Sequence, residues 1–214
     1  MNFKLISAVA VALLSAAPAY SSTVTLDFEG SSGYVSIDNY YNGGTDVGGA
    51  SGTNYGVNFG LDAITLSNDF ETYYSNAPSA GGVLAAVGGD AAMNVASGFA
   101  GLVSFYYSSV VATTVNLYSG LNGTGTLLGT ISLAANAQSN GCSDSALCYW
   151  SLASLSFDGV AQSLQFGSTY DAELGTLAAI DNVSIAPVPL PAAAWLLISG
   201  LGGLGVFGRR KRAA

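Results

Sequence analysis

The side chains of this chain that could bind a metal ion are carboxylates at both ends of its central region. Asp27 and Glu29 continue an alternating strand pattern and share its polar face, whereas Asp181 takes the apolar face of a late strand pattern. Pairing of the first and last strands would bring Asp181 near Asp27 or Glu29. Because Ca²⁺ binds carboxylate and carbonyl oxygens, these residues predict a structural calcium site. The alternative is that Asp181 accepts hydrogen bonds from backbone and hydroxyl groups.

A long polar loop, residues 38–58, is a second candidate site, in this case for a sugar. It carries these tyrosine, Asn and Asp residues: Asp38, Asn39, Tyr40, Tyr41, Asn42, Asp46, Asn54, Tyr55 and Asn58. Tyrosine rings stack on sugar faces while carboxylates and amides bind hydroxyl groups, so we predict ligand contacts for Tyr40, Tyr41 and Asp46. Trp150 is a further candidate ring. The alternative is that the loop forms local turns and that the aromatic residues fill the core.

The distribution of charge excludes several kinds of chemistry. All 13 Asp and Glu residues lie between Asp27 and Asp181, all 5 Lys and Arg residues lie near the termini, and the chain has no His. The central region therefore has no basic group for a Ser-His-Asp triad, a histidine metal cluster or a phosphate clamp. Nucleic acid is excluded as a partner because phosphate contacts need Lys or Arg. Each carboxylate must be solvated, protonated, bound to a cation or hydrogen-bonded by neutral donors.

The two cysteines, Cys142 and Cys148, lie close together in a polar segment rich in Ser, Asn and Gly. In an exported chain we predict a disulfide that closes a small loop, with two free thiols as the alternative. A metal site built on these thiols is not expected, because the chain has no His to complete it.

Both ends of the chain have the composition of targeting segments. Residues 1–19 combine a basic start, an apolar run and small residues, which predicts a signal peptide that signal peptidase cuts after Ala19 or, alternatively, after Ser21. Residues 192–208 are uncharged and long enough to span a bilayer as a helix. A basic cluster follows and would remain cytoplasmic: Arg209, Arg210, Lys211 and Arg212. We therefore predict an exported protein that is anchored in the membrane before processing.

The elements that must position the candidate residues are short strands separated by Gly, Asn and Ser. Residues 23–28 and 113–118 alternate apolar and polar side chains, and β-branched and aromatic residues are frequent. No amphipathic helix pattern appears between the two targeting segments. We predict an all-β fold for residues 20–186, an antiparallel β-sandwich of jelly-roll type.

The last part of the chain has a motif, an apolar run and a basic cluster in a characteristic order. The motif is Val188, Pro189, Leu190, Pro191 and Ala192. With Trp195 and the basic cluster, it resembles the VPLPA variant of the PEP-CTERM sorting domains of Gram-negative bacteria. The resemblance implies that an exosortase-like membrane transpeptidase recognises residues 187–214, cuts near the motif and releases or re-anchors the protein. The alternative is an ordinary C-terminal membrane anchor.

Parts of the central region resemble the variable regions of PEP-CTERM proteins. The matching segments are residues 39–46, 52–59, 157–167 and 180–183. Such regions resemble galactose-binding-like jelly rolls, which agrees with the predicted fold class. This resemblance implies no particular active site.

Together these observations predict an exported, non-catalytic protein of the cell envelope or the extracellular matrix. A carbohydrate-binding module, with or without Ca²⁺, is the first alternative, and an extracellular polysaccharide would then be its partner. A glycoside-active enzyme is the second alternative, because paired carboxylates alone can hydrolyse glycosides. No cofactor other than Ca²⁺ is expected.

Overall fold

The described part of the chain, residues 22–68 and 73–188 of this computed structural model, consists of β-strands joined by turns and long loops. The strands are β1 (Val24–Leu26), β2 (Val57–Phe59), β3 (Ala63–Leu66), β4 (Val83–Ala86), β5 (Ala92–Ser109), β6 (Thr113–Tyr118), β7 (Leu127–Leu133), β8 (Ser151–Phe166), β9 (Tyr170–Asp171), β10 (Gly175–Thr176) and β11 (Ala178–Ile185). A single 3-10 turn covers Ser139–Gly141. None of the described helical structure is long and apolar enough to cross a membrane.

Several features predicted from the sequence lie outside the described residues. The signal peptide at 1–19 and the membrane-spanning run at 192–208 lie outside the described residues, and so does the basic cluster at 209–212. Of the sorting motif, only Val188 is described; its N–H donates to the Gly98 carbonyl at 2.8 Å. Residues Ser21–Val188 form one compact unit of the chain.

The strands form because their apolar residues alternate with polar ones. In β6, Val115 and Leu117 are buried, whereas the residues between and beside them are partly or fully exposed. A strand turns successive side chains to opposite faces, so this pattern places one face of each strand on a core. All strand pairs of the described residues are antiparallel. The predicted all-β antiparallel sandwich is confirmed, while its jelly-roll type stays a prediction.

Two long strands, β5 and β8, run through both layers of the sandwich. Residues 93–95 of β5 pair with β2, and residues 92–94 pair with the end of β8. Residues 101–109 pair with β11 or with the start of β8. The register shifts between these parts, where Gly98 and Gly101 have φ of 80° and 84°. Only glycine adopts such backbone angles at no steric cost, so these two residues allow β5 to bend from one layer to the other.

The main core lies between the two layers. It contains buried aromatic rings from strands of both layers, and Phe105 meets Phe166 edge-to-face with ring centroids 6.4 Å apart. Gly129 of β7 contacts Leu155 of β8, since an added Cβ at this glycine would lie 2.5 Å from the leucine Cδ2. The first and last strands pair, with Thr25 opposite Ser184, as the sequence predicted.

A smaller core covers the opposite face of β3, β4 and β11. Its buried side chains include Leu66, Tyr74, Val83 and Leu147, and the indole of Trp150 packs against it. One loop over this face is closed by the disulfide Cys142–Cys148, whose Cα atoms are 5.9 Å apart. The predicted disulfide is confirmed, and it secures a segment that has no strand of its own.

Removing this disulfide should lower stability because the unfolded chain regains the freedom of the closed loop. For a loop closed over a sequence separation of 6, the expected loss for Cys142→Ser/Cys148→Ser is about 2 kcal/mol. Urea unfolding followed by circular dichroism measures it, with Ser143→Ala in the same loop as a matched control. An unchanged free energy of unfolding in the double variant would show that the bond adds no stability.

Candidate functional site

Asp181 is buried in the sheet, with no exposed surface. Its carboxylate accepts hydrogen bonds from the Ser79 N–H at 2.8 Å and from its neighbour Asn182 N–H at 2.7 Å, and the Ser79 hydroxyl lies 2.8 Å away. Burial raises the pKa of Asp181, although these hydrogen bonds act in the opposite direction. These hydrogen bonds agree with the alternative in which Asp181 accepts from backbone and hydroxyl groups.

Asp27 and Glu29 lie near Asp181 but bind neutral donors. The Glu29 carboxylate accepts the Gly81 N–H at 2.6 Å, and the Asp27 carbonyl lies 3.0 Å from the Ser79 hydroxyl that also contacts Asp181. Among the residues that the structure describes, no group of three Asp, Glu, Cys or His side chains is placed to hold a metal ion. Calcium at Asp27, Glu29 and Asp181 stays a prediction.

Tyr40 and Tyr41 were predicted to contact a ligand, but both are buried in the main core. The Tyr40 hydroxyl donates to the Glu29 carbonyl at 2.7 Å, and the Tyr41 hydroxyl accepts the Phe28 N–H at 2.7 Å. Burial raises the pKa of both phenols, and the nearby Asp27 carboxylate adds to this effect. The predicted ligand contacts of Tyr40 and Tyr41 are therefore wrong, because both rings are buried. The two rings join the loop to residues 28–29, since each hydroxyl is hydrogen-bonded to a backbone group there.

Asp46 is also buried and cannot reach a ligand. Its carboxylate accepts the Ser32 N–H at 2.6 Å and the Ala50 N–H at 2.8 Å, and the Ser32 hydroxyl donates to it at 3.2 Å. Burial alone would raise the pKa of Asp46, but the hydrogen bonds outweigh it and lower the pKa. Asp46 therefore stabilises the loop as an anion, which is the turn-forming role that the sequence left as the alternative.

Trp150 is half-buried beside the disulfide. Its indole N–H donates to the Ser75 carbonyl at 2.8 Å, and its ring meets Tyr74 edge-to-face at 6.3 Å. A tryptophan that fills a core and satisfies its N–H in this way has a structural role. These contacts favour the core-filling alternative, while ligand contact by Trp150 stays a prediction.

Tyr55 is the ring of the 38–58 loop that reaches the surface, with 37% of its surface exposed. It stacks on Tyr41, with centroids 6.1 Å apart and an interplanar angle of 24°, and its N–H donates to the Tyr41 carbonyl at 2.8 Å. Asn54 packs against Gly43, beside Asn42, and both asparagines are exposed. The loop therefore presents one supported aromatic ring among amides.

Burial was the signal that sequence reasoning lacked in this loop. Tyr40, Tyr41 and Tyr55 have the same side chain in the same polar surroundings, so the sequence could not rank them. The strand pattern is misleading for Tyr55, because Val57 and Phe59 are buried and Tyr55 precedes them on the same parity, which predicts a buried ring. Tyr55 is exposed because β2 begins only at Val57.

Three cavities in the described part of the chain bear on the alternative of a glycoside-active enzyme. One of about 320 Å³ lies beside Asn136, one of about 390 Å³ beside Thr113, and one of about 240 Å³ beside Ser79. None of these three is lined by Asp or Glu. The pKa of the Asp181 carboxyl is raised, but this group has no exposed surface from which to protonate a substrate.

Solved structures with some likeness to this chain include carbohydrate-binding modules. A family 6 carbohydrate-binding module matches 59% of this chain and 82% of its own, with 19% identity and a TM-score of 0.38. The module CsCBM6-3 from Clostridium stercorarium in complex with cellobiose matches 60% of this chain and 84% of its own, with 20% identity and a TM-score of 0.37. At such identities and TM-scores, no statement about the function of this chain rests on them.

A glycoside hydrolase family 43 arabinoxylan arabinofuranohydrolase from Bacillus subtilis, in complex with cellotetraose, also shows some likeness. It has 16% identity and a TM-score of 0.40, and the match covers 61% of this chain but 26% of the hydrolase. No protein-family model matches the chain, and no curated protein matches it in sequence. The resemblance of residues 188–212 to a sorting tail therefore stays a prediction.

The two buried carboxylates should change stability with pH in opposite directions. The raised pKa of Asp181 means that the folded state holds its proton more tightly than the unfolded chain. Stability from this group is present at low pH and is lost as the pH rises from 3.8 through the raised value. The lowered pKa of Asp46 gives stability that is present above 3.8 and lost as the pH falls through the lowered value.

Urea unfolding over a series of pH values tests this contrast with two isosteric variants. The stability of wild type relative to Asp181→Asn should fall as the pH rises above 3.8, and that of wild type relative to Asp46→Asn should grow as the pH rises toward 3.8. Each variant is the matched control for the other, since both remove one buried charge. If the stability difference between wild type and variant changed in the same direction with pH for both variants, the assigned directions of the two pKa shifts would be wrong.

Proposed function

We propose that the described domain is a non-catalytic carbohydrate-binding module of an exported protein. The observation that carries the proposal is Tyr55, an exposed ring whose inner face is supported by Tyr41. A ring held in this way keeps its position without a ligand, so little conformational entropy is lost when a sugar stacks on it. Aromatic rings with adjacent polar groups are the usual means of orienting a small ligand in a protein site.

The groups around Tyr55 suit hydroxyl groups. Asn54 and Asn42 are exposed, and the amide of each can both donate and accept hydrogen bonds. The Asn54 Oδ1 accepts the Gly56 N–H at 3.0 Å, which fixes the orientation of its amide. A sugar hydroxyl is likewise both donor and acceptor, so exposed amides of the same loop match it.

Charge supports a neutral ligand. None of the described residues is Lys, Arg or His, so the domain has no cation that could attract a phosphate, a sulfate or a uronic acid. Its 13 carboxylates would repel such groups. A neutral polysaccharide outside the cell is therefore the partner that we propose.

Export, anchoring and processing by an exosortase-like transpeptidase belong to the same proposal. They are supported by the order of motif, apolar run and basic cluster in residues 188–212 and by the disulfide, which is typical of an oxidising compartment. In this proposal, processing brings a sugar-binding domain to the cell envelope or the extracellular matrix.

The test is a glycan array of neutral and acidic oligosaccharides, cello-oligosaccharides included, probed with the full chain with and without Ca²⁺. We expect binding to neutral glycans, and Tyr55→Ala should weaken the best binder about tenfold, as measured by calorimetry. Tyr55→Phe should bind nearly as well, because it keeps the ring. The matched control is Tyr170→Ala, which removes a tyrosine that is 55% exposed on β9. Absence of binding to neutral glycans, or equal effects at Tyr55 and Tyr170, would refute the proposal.

A further inference from the structure

The first half of β8, Ser151–Phe157, is an open edge of its layer. It pairs with β5 on one side, whereas β6 joins β8 only at residues 163–166. Among the described residues, no backbone hydrogen bond reaches the other side of residues 152–157. Exposed strand edges carry unpaired N–H and C=O groups that can pair with another strand.

The orientation of the β8 backbone follows from the neighbouring strand. Val110, directly after β5, donates its N–H to the Leu177 carbonyl at 2.7 Å. At this end of β5, the N–H and C=O groups of the even-numbered residues therefore point toward β11, and those of the odd-numbered residues point toward β8. Because Phe105 is opposite Ala153, the backbone N–H and C=O groups of the odd-numbered residues of β8 bond to β5. The outward N–H and C=O groups therefore belong to Leu152, Ser154 and Ser156.

The sheet edges at β2 and β3 differ from this one, because loop residues are bonded to them. Segment 34–37 covers β3, since Ile37 donates to the Ala63 carbonyl at 3.0 Å and Thr65 donates to the Val35 carbonyl at 3.1 Å. β2 is likewise bonded to residues of the 38–58 loop. β7 pairs with β6 alone among the described strands, and its core-facing Gly129 contacts the core-facing side chain of Leu155 across the two layers. The described structure thus has a second open edge at β7, in the opposite layer.

The strands around this edge carry no charged side chain before Asp158, which directly follows the open part of β8. No Asp or Glu occurs between Asp90 and Asp144 or between Asp144 and Asp158, so β5, β6, β7 and the open part of β8 have no charged side chain. The open part of β8 contains no proline, and Leu152 is 60% exposed. Charges and prolines are the usual protection of a strand edge, and neither is present here.

We propose that the β8 edge pairs with the β8 edge of a second copy of this chain. The second copy is favoured by charge, because an acidic domain can approach another acidic domain only where both are neutral. It is also favoured by symmetry, because an antiparallel pair of identical strands about Ser154 is self-complementary and closes into a two-fold dimer. The exposed Leu152 side chain then packs on the partner strand.

The test measures the dimer dissociation constant of the full chain in a neutral detergent by sedimentation equilibrium. Ser154→Pro removes an outward N–H from each subunit but none of the bonds to β5. Loss of two hydrogen bonds per dimer should weaken association about 30-fold. Leu152→Asp, which places a charge on the edge, should also yield monomers. The matched control is Leu102→Asp on the adjacent inner strand, where a leucine that is 51% exposed is replaced and the dimer should persist.

Each result decides the proposal. It is supported if wild type dimerises, both edge variants do not, and higher salt tightens the dimer by screening the repulsion between acidic domains. It is overturned if wild type is monomeric, if the edge variants dimerise like wild type, if Leu102→Asp is equally impaired, or if salt loosens the dimer. Should Ser154→Pro fail to fold by circular dichroism, Leu152→Asp alone decides, because its side chain is exposed. Glycan binding at Tyr55 is measured independently of these variants.

Discussion

The structure depends on one electrostatic constraint, which is that a domain with 13 carboxylates has no basic side chain. Its buried carboxylates must be stabilised by neutral donors, and each such hydrogen bond to a charged group contributes about 1.5–3 kcal/mol. Asp181 joins the last long strand to Ser79, and Asp46 joins the 38–58 loop to Ser32. In both cases the carboxylate links segments that are distant in sequence, which is the role that a salt bridge has in other proteins.

The carboxylates are unevenly distributed along the chain. The carboxylates that are not buried are confined to the parts of the chain outside residues 91–143, so β6 and β7 carry none. Anionic partners are repelled by the acidic part, and strand pairing is possible where the strands are neutral. The sugar site proposed at Tyr55 lies in a loop held by Tyr40, Tyr41 and Asp46, and so it depends on the core beneath it.

Sequence reasoning predicted the strands well, because alternation of apolar and polar residues, as in Val115 and Leu117, is a local property. It also predicted the pairing of the first and last strands and the disulfide. It did not predict which aromatic residues of the 38–58 loop are buried and which one is exposed. Tyr41 is buried because Phe28 and Phe59 surround it, and neither contact can be read from local pattern. Asp46 was mistaken for a ligand contact for the same reason, since its donors lie in other segments.

Composition alone decided which chemistry is impossible, because the absence of Lys, Arg and His from the central region does not depend on folding. It also decided that any buried carboxylate needs neutral donors. Which carboxylates are buried, which tyrosine is exposed and which strand edge is open were decided only by tertiary structure. The physical reason is that burial and strand pairing depend on contacts between residues that are distant in sequence. Tyr55 and Tyr41 have the same side chain in similar polar sequence surroundings. Tyr41 is nevertheless buried, and Tyr55 stacks on it and is exposed.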